Sequence, residues 1–352
     1  MSTIEVTDRW TGAGRADDEI VAPCPSEDGW HPTAARGQFE HWYFDARLDD
    51  GHVIVGFLQT AELITKKPGV ELHVYKPDGT RIEIRKPYPM AAVRASTERC
   101  EVQVGHNRVD TEYPDDGGLP LFHLKLDEDG VRFDLEFQAE VPAWKPGAGR
   151  TDYGPRNYFA WVVGAPRARV TGTIAYDGQT FDATGVGYHD HNWGVGNMGR
   201  IVDHWYWGRV YAGEFTLVYA DVTARRRYGS HASTPVMLAM ADRVVLSTGE
   251  VEVETGSEVF NSVANHAYPS SLVLRSGDVL ELRLDVREVI HAHDLLNDFP
   301  VVRSPFVKPI VNRLVGRPGY FRFRSDFTLM ARVDGEDYVR EGSTLHEMVA
   351  LR

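Results

Sequence analysis

Hydrophobic and polar residues alternate with a period of two in short runs along most of the chain. Runs such as VELHVYKPDGTRIEI at 70–84 and EFTLVYADV at 214–222 have the composition of half-buried strands. Asp-Gly pairs favour tight hairpin turns between strands. They stand at positions 50–51, 78–79, 129–130, 177–178 and 334–335. The pattern therefore predicts antiparallel hairpins rather than strand–helix–strand units.

The predicted strands continue over more than 300 residues, and long amphipathic helices are absent from the pattern. At 352 residues the chain exceeds the ~100–200 residues typical of one domain. We expect an all-β protein with two tandem antiparallel barrels or sandwiches, at 31–195 and 196–352. Residues 1–30 lack alternation and are interpreted as an N-terminal arm. One short helix is expected around 306–314, where apolar residues recur at helical spacing.

Charge and composition narrow the class of function. The formal net charge is −13, and no basic stripe is present, which argues against nucleic acid as a partner. No run of ~18 apolar residues and no basic, apolar leader is present, so we expect neither stable membrane insertion nor export. Cys24 and Cys100 are too few for a disulfide framework, which favours a cytoplasmic location.

Histidine, tryptophan and acidic residues are dense between 184 and 209. If 187–193 is extended, the period of two places His189, His191 and Trp193 on one strand face. This density favours a functional site. Aromatic and histidine clusters also close barrel ends by hydrogen bonding alone, and the pattern leaves both interpretations open.

The strand FTLVYAD gathers Phe215, Leu217, Tyr219 and Asp221 on one face. An aspartate on an apolar face is either exposed at the strand end or buried, and burial raises its pKa by disfavouring the charged form. A carboxyl with a raised pKa can donate a proton near neutral pH. Asp221 is therefore a candidate acid.

The stretch GVGYHDHNWG at 185–194, followed by WYWGR at 205–209 and by Tyr219-Ala-Asp221, resembles the signature of the carotenoid hydratase superfamily. These proteins are also called hydroxyneurosporene synthases or AttH-like lipocalin proteins. EHWYFDARLDDG at 40–51 resembles the N-terminal signature of the same superfamily. The resemblance extends over about residues 38 to 350.

The resemblance implies two lipocalin-like, calycin-type antiparallel β domains that enclose an apolar small-molecule substrate, with no bound metal or nucleotide. It also implies catalytic roles for a His and a Trp two residues apart and for a Tyr and an Asp two residues apart. In this chain those residues are His191, Trp193, Tyr219 and Asp221. The further residues that we expect to contact the substrate are Glu40, Trp42, Tyr43, His189, Trp205, Trp207, Phe215 and Leu217.

The sequence gives weaker support for a metal site and for a glycoside hydrolase site. The alternating pairs His189/His191 and His291/His293 have spacing that suits zinc, but the sequence offers neither pair a recognisable third ligand, so no metal is expected. Glu40 and Asp45 are acidic residues, but nothing in the sequence places a second carboxyl at the separation that glycoside hydrolysis needs. No cofactor-binding motif is present, and the oligomeric state is not indicated.

Three functions remain. The superfamily includes enzymes that close rings by Diels–Alder reaction, and our first expectation is a cofactor-independent cyclase acting on a polyene or polyketide-derived intermediate. The second is a hydratase that adds water to an isoprenoid double bond, with Asp221 as proton donor. The third is a lipocalin-type carrier in which the same residues only line a ligand pocket.

Overall fold

The computed structural model describes residues 3–8, 20, 22–63, 65–115, 117–298 and 316–352. The described chain is nearly all β, which confirms the expected fold class. Its α-helix, Met198–Ile201, has four residues, and short 3-10 turns lie at Pro25–Glu27, Met90–Ala92, Arg226–Tyr228 and Leu295–Asp298. The helix expected around 306–314, and most of residues 1–21 of the expected arm, lie outside the described residues.

The chain divides into two compact units. The N-terminal unit is formed mainly by Glu19–Asn197, and the C-terminal unit mainly by Met198–Met240 and Val245–Arg352. The short segment Ala241–Val244 is grouped with the N-terminal unit. Each unit has its own antiparallel sheet and its own hydrophobic core.

Strand β1, Val6–Thr7, comes first in the chain. The sheet of the N-terminal unit then follows from β2 (Gln38–Leu48), β3 (Val53–Ala61), β4 (Gly69–Tyr75), β5 (Arg81–Pro87), β6 (Val93–Ala95), β7 (Val102–Val104), β8 (Asn107–Glu112), β9 (Leu121–Glu128), β10 (Val131–Ala139), β11 (Arg150–Tyr153), β12 (Asn157–Tyr176), β13 (Gln179–Asp182) and β14 (Gly185–Val195). Eleven of them follow one another across the sheet in the order β5-β4-β3-β2-β14-β12-β10-β9-β8-β7-β6, and β11 and β13 pair with β12 beside this path.

Tight turns connect consecutive strands where the sequence predicts them. Asp129-Gly130 joins β9 to β10, and Asp177-Gly178 joins β12 to β13. In both pairs the two residues have positive φ angles, 47° and 87° in the first and 51° and 73° in the second. Two successive positive φ angles define the type I′ turn, which matches the twist of the strands that it joins.

Strand β14 lies in the middle of this sheet, between β2 and β12. Both neighbours pair with it along most of its length, with irregular register on the β12 side around Val162–Ala168. One face of β2 and β14 adjoins the core, which includes Trp42, Phe44, Phe122 and Phe137. Polar side chains of β14 on that face are therefore held away from water.

The C-terminal unit holds the remaining strands, and its sheet has the order β19-β18-β16-β15-β26-β25-β24-β23-β20. These strands are β15 (Val202–Ala212), β16 (Phe215–Ala224), β17 (Ala232–Ser233), β18 (Val236–Met240), β19 (Arg243–Thr248), β20 (Glu252–Thr255), β21 (Glu258–Asn261), β22 (His266–Pro269), β23 (Ser271–Ser276), β24 (Leu280–Asp294), β25 (Gly319–Val333) and β26 (Glu336–Ala350).

Strands β21 and β22 form a separate hairpin within this unit. The core consists of alternate residues of β15, β16, β23, β24, β25 and β26, and its largest members include Phe215, Tyr219, Phe321 and Phe323. No helix among the described residues has the length and apolar character needed to cross a membrane.

Candidate functional site

The extended stretch of β14 brings His189, His191 and Trp193 to one strand face. Register places these residues opposite Phe44, Trp42 and Glu40 of β2, respectively. Directly paired residues of antiparallel strands point to the same face. The side chains of both histidines and of Glu40 are 0% exposed.

Glu40 accepts hydrogen bonds from three directions. The backbone N–H of His31 donates to Oε1 over 2.7 Å, Nε2 of His191 lies 3.2 Å from the same oxygen, and Thr60 donates to Oε2 over 3.2 Å. Burial alone would raise the pKa of Glu40. The contacts with His191 and His31 outweigh burial and lower that pKa to about 2, so the carboxylate is ionised at neutral pH.

Asp28 and His189 form a second buried pair beside the first. Nε2 of His189 lies 3.0 Å from Oδ2 of Asp28, and Nδ1 donates to the carbonyl of Tyr43 over 2.9 Å. Burial opposes charge on His189, but the Asp28 carboxylate outweighs it and raises the pKa of this imidazole. Asp28, which precedes His189 by 161 positions, therefore favours the protonated form of this imidazole.

Indole rings fix the orientation of the imidazoles around Glu40. Trp42 stacks on His191 with ring centroids 4.2 Å apart and an interplanar angle of 11°. Trp193 stacks on His31 at 3.9 Å and 6°. The predicted substrate-contact residues Trp42 and His189 and the predicted catalytic pair His191 and Trp193 thus belong to one cluster.

The opposite face of β14 carries a different carboxyl. Asp190 accepts hydrogen bonds from Trp161 and Tyr188 at Oδ2 and from Asn192 at Oδ1, each 2.9 Å long. Burial outweighs these donors and raises the pKa of Asp190 to about 7. Tyr43 lies on the corresponding face of β2, where its hydroxyl donates to Asp45 over 2.6 Å.

Metal-binding geometry occurs twice in this unit. Among the described residues, two groups of three possible ligands have donor atoms within 4.8 Å of one another: Asp28, Cys100 and His189, and His31, Glu40 and His191. His291 and His293 of the C-terminal unit belong to neither group. The pair His189/His191 that the sequence offered for zinc is thus divided between the two groups.

In the C-terminal unit, Phe215, Leu217, Tyr219 and Asp221 share one face of β16. Their partners across β15 are Ala212, Val210, Gly208 and Tyr206 in the same order. Trp205 and Trp207 lie on the other face of β15, where they pair with Val222 and Ala220 and are half-buried.

Asp221 is 5% exposed and accepts a hydrogen bond of 2.7 Å from Thr234 at Oδ1. Burial raises its pKa, although Thr234 and the nearby His204 oppose the shift. Tyr219 is fully buried, and its hydroxyl has no hydrogen-bond partner among the described residues. Glycine at 208 makes room for it, since a Cβ there would stand 2.8 Å from the Tyr219 hydroxyl.

A pocket of about 420 Å³ opens within the C-terminal unit. Tyr206 lines it and is also the cross-strand partner of Asp221, so it connects the pocket with the buried carboxyl. Burial, aided by the charges of Asp221 and Glu258, raises the pKa of Tyr206 to about 12, so the phenol stays protonated. The pocket is otherwise lined chiefly by Asp203, His204, Glu258, Phe260, His266, Tyr268, Arg317 and Met348.

The central region of the chain is similar in sequence to a known protein family. The sequence model of the family described as carotenoid hydratase CrtC matches residues 149–254, which include all four predicted catalytic residues. A hydroxyneurosporene dehydrogenase of Chlorobaculum tepidum is 24% identical over 253 residues, which are 61% of this chain and 64% of the relative. The expected resemblance to the carotenoid hydratase and AttH-like superfamily is confirmed.

Other known proteins match over shorter stretches or in fold. The quinolone epoxide rearrangement protein penF of Penicillium thymicola is 36% identical over 77 residues, 22% of this chain and 20% of penF. The matched stretches thus span less than two thirds of these curated relatives. The crystal structure of CghA with Sch210972 has 12% identity, a TM-score of 0.66, and coverage of 99% of this chain and 98% of CghA.

Kievitone hydratase of Nectria haematococca has 14% identity and a TM-score of 0.56, with coverage of 99% of this chain and 98% of the hydratase. At this level of identity the likeness concerns the fold, and it confirms the lipocalin-like architecture. The superfamily's predicted catalytic residues fall in both units of the chain. His191 and Trp193 belong to the N-terminal unit, and Tyr219 and Asp221 belong to the C-terminal unit.

Sequence reasoning missed four residues of these clusters: Asp28, His31, His204 and Tyr206. Asp28 and His31 belong to an irregular segment that gives no periodic signal. Tyr206 and His204 had a usable signal, because alternation along β15 places them in phase with Gly208, opposite Tyr219.

Proposed function

We propose that the chain is a cofactor-independent cyclase that binds an apolar polyene or polyketide-derived substrate in the pocket of the C-terminal unit. The observation that carries the proposal is Asp221, a buried carboxyl with a raised pKa beside the pocket-lining Tyr206. A carboxyl that keeps its proton can donate a hydrogen bond to a substrate carbonyl.

The reaction requires from the protein only a cavity of suitable shape and one hydrogen-bond donor. In a cycloaddition two carbon–carbon bonds form from π electrons of the substrate, and no atom is gained or lost. Holding both reacting ends together can contribute up to ~7–11 kcal/mol in favourable cases. The pocket volume of about 420 Å³ is within the usual range of small-molecule sites, and Tyr206, Tyr268 and Met348 offer it apolar surface.

Hydration of an isoprenoid double bond is the second candidate. It is favoured by the match of residues 149–254 to the carotenoid hydratase family and by the same Asp221 carboxyl. Asp221 would give its proton to one alkene carbon, water would add to the other, and the water's proton would return to the carboxylate. His204, which lines the pocket near Asp221, would hold the water.

The decisive variant is Asp221→Asn, tested with a synthetic triene tethered to an enone and with neurosporene, both in deuterated water. A cyclase should lose ~10-fold or less, about 1.4 kcal/mol, because the Asn amide still donates a hydrogen bond. A hydratase should lose ~10² or more and place deuterium on product carbon. Asp190→Asn is the matched control, since Asp190 is also a buried carboxyl with a raised pKa.

Ring closure without carbon-bound deuterium supports the cyclase, and carbon-bound deuterium with a dead Asp221→Asn variant replaces it by the hydratase. A larger loss in Asp190→Asn than in Asp221→Asn would contradict the placement of the chemistry at Asp221. Tight binding of either substrate with no turnover would leave the carrier.

A further inference from the structure

The cluster around Glu40 contains buried nitrogen and oxygen atoms that lack a hydrogen-bond partner. Nδ1 of His31, Nδ1 of His191 and Oδ1 of Asp28 are buried and have no hydrogen-bond partner among the described residues. Leaving a buried polar atom unpaired costs about 1–3 kcal/mol. Three such atoms within one cluster indicate that something else binds there.

The tautomers of His191 explain part of the pattern. If Nε2 carries the proton, it donates to Glu40, and the lone pair of Nδ1 then faces Oδ1 of Asp28 at 3.7 Å. If Nδ1 carries the proton, the lone pair of Nε2 faces the ionised Oε1 of Glu40 at 3.2 Å. Neither neutral tautomer satisfies both sides, so the cluster calls for an additional positive charge.

A proton on His191 or a metal ion would supply that charge, and an ion can engage His31 as well. Nδ1 of His31 lies 3.4 Å from the same Oε1 of Glu40. An ion bound between His31, Glu40 and His191 uses the lone pairs of both imidazoles and of the carboxylate at once.

The spacing of the donor atoms suits zinc. With zinc–nitrogen and zinc–oxygen bonds of about 2.0–2.1 Å, two ligand atoms of a tetrahedral site lie about 3.3 Å apart. The distances from Oε1 of Glu40 to Nε2 of His191 and to Nδ1 of His31 are 3.2 and 3.4 Å. Two histidines and one glutamate are also a donor set that zinc uses when it keeps an open coordination position.

The surroundings hold these ligands in place. Trp42 and Trp193 stack on the two imidazoles, and Thr60 donates to the second oxygen of Glu40. Asp28 stands beside Nδ1 of His191, where a carboxylate commonly accepts the other N–H of a metal-bound histidine.

We propose that His31, Glu40 and His191 bind a divalent metal ion of the zinc type, with a fourth position open to water. The three ligands come from the segment before β2, from β2 and from β14, so the ion would join three separate parts of the N-terminal unit. The donor atoms of all three ligands lie within 4.8 Å of one another.

The experiment uses the full chain, stripped with EDTA and titrated with Zn²⁺ by calorimetry, with metal analysis after dialysis. We expect about one tightly held zinc ion per chain and a higher Tm of the zinc-loaded protein. His31→Gln should weaken binding ~100-fold or more, since loss of an outer partner alone costs ~10–100-fold. Its side chain is 28% exposed, so this variant should still fold.

The matched control is His73→Gln, because His73 pairs with Glu71 at 3.4 Å in the same unit but belongs to no three-ligand group among the described residues. The chain has 14 histidines, and weak zinc uptake elsewhere would be equal in both variants. Equal affinity of His31→Gln and His73→Gln overturns the proposal. So does the absence of saturable Zn²⁺ binding by the unchanged chain.

Discussion

The N-terminal and C-terminal units each contain a buried carboxyl beside histidine and aromatic rings, yet the two carboxyls have opposite pKa shifts. The pKa of Glu40 is lowered to about 2, and that of Asp221 is raised. Both side chains are buried, so burial alone does not decide the sign. Glu40 interacts with two histidines and a threonine, whereas Thr234 is the hydrogen-bond donor to Asp221.

The difference separates a carboxyl that its neighbours hold in the charged form from a carboxyl whose protonated form burial favours. The Glu40 cluster brings an ionised carboxylate and imidazole nitrogens together. The Asp221 cluster places two hydroxyls, those of Tyr206 and Tyr219, near a carboxyl and beside a cavity. The same residue types therefore suit metal binding in one unit and proton or hydrogen-bond donation in the other.

Two glycine variants test this contrast, and they have the largest expected effects. In Gly164→Ala the new Cβ would stand 2.6 Å from Cδ2 of His189 and 2.8 Å from Oδ2 of Asp28. It would push apart Asp28 and His189, a buried hydrogen-bonded pair, and leaving a buried carboxylate without its partner costs about 3–5 kcal/mol. We expect the free energy of unfolding to fall by about 3 kcal/mol or more in urea titrations.

Gly208→Ala makes the corresponding change in the C-terminal unit, where the Cβ would stand 2.8 Å from the Tyr219 hydroxyl and 2.7 Å from Cβ of His346. No such pair is broken here, so overpacking should lower the free energy of unfolding by about 1–3 kcal/mol. Turnover should fall by more than this loss of stability explains. Gly69→Ala is the control, because its nearest contacts are 3.1 and 3.2 Å. Equal stability losses in Gly164→Ala and Gly208→Ala would contradict the contrast.

The sequence predicted the strand faces of these clusters because alternation depends only on local geometry. Extended backbone at β14 places His189, His191 and Trp193 together, and at β16 it places Tyr219 with Asp221. The contribution of Asp28 and His31 could not be predicted, since their contacts with β14 span about 160 residues and arise from an irregular segment. Asp190 was visible in the sequence, but burial raises its pKa to about 7, and local alternation does not reveal that burial. Its donor Trp161, which opposes the rise, comes close only through the β12–β14 register.

The acid stability of the C-terminal unit depends on a buried histidine, His346. Burial lowers the pKa of His346 to about 3, and its Nε2 lies 2.8 Å from the Ser325 hydroxyl. Between pH 6.5 and 3 the unfolded chain binds a proton at this position that the folded chain does not. Folding stability must therefore fall as the pH decreases, by up to about 1.4 kcal/mol per pH unit.

His346→Gln should remove this part of the slope, because Gln does not titrate and its amide can still bond to Ser325. Unfolding free energies at pH 6.5 and 5 should differ less in the variant than in the parent chain, by about 2 kcal/mol. A parent slope retained in His346→Gln would show that another group titrates.

The smallest expected effect is at Thr234, the hydrogen-bond donor to Asp221. Thr234→Val keeps the shape and removes the donor, which favours the charged carboxylate, so the pKa of Asp221 should rise further. If protonated Asp221 is the active form, activity is lost as the pH rises through its pKa, and the basic limb of the kcat/KM profile should move to higher pH. Stability should fall by about 1 kcal/mol.

Thr216→Val is the control, because the Thr216 hydroxyl on the same strand is buried with no partner among the described residues. Its loss should neither move the limb nor reduce stability. An unchanged limb in Thr234→Val, in a variant that folds and turns over, would mean that the protonation of Asp221 does not control the reaction.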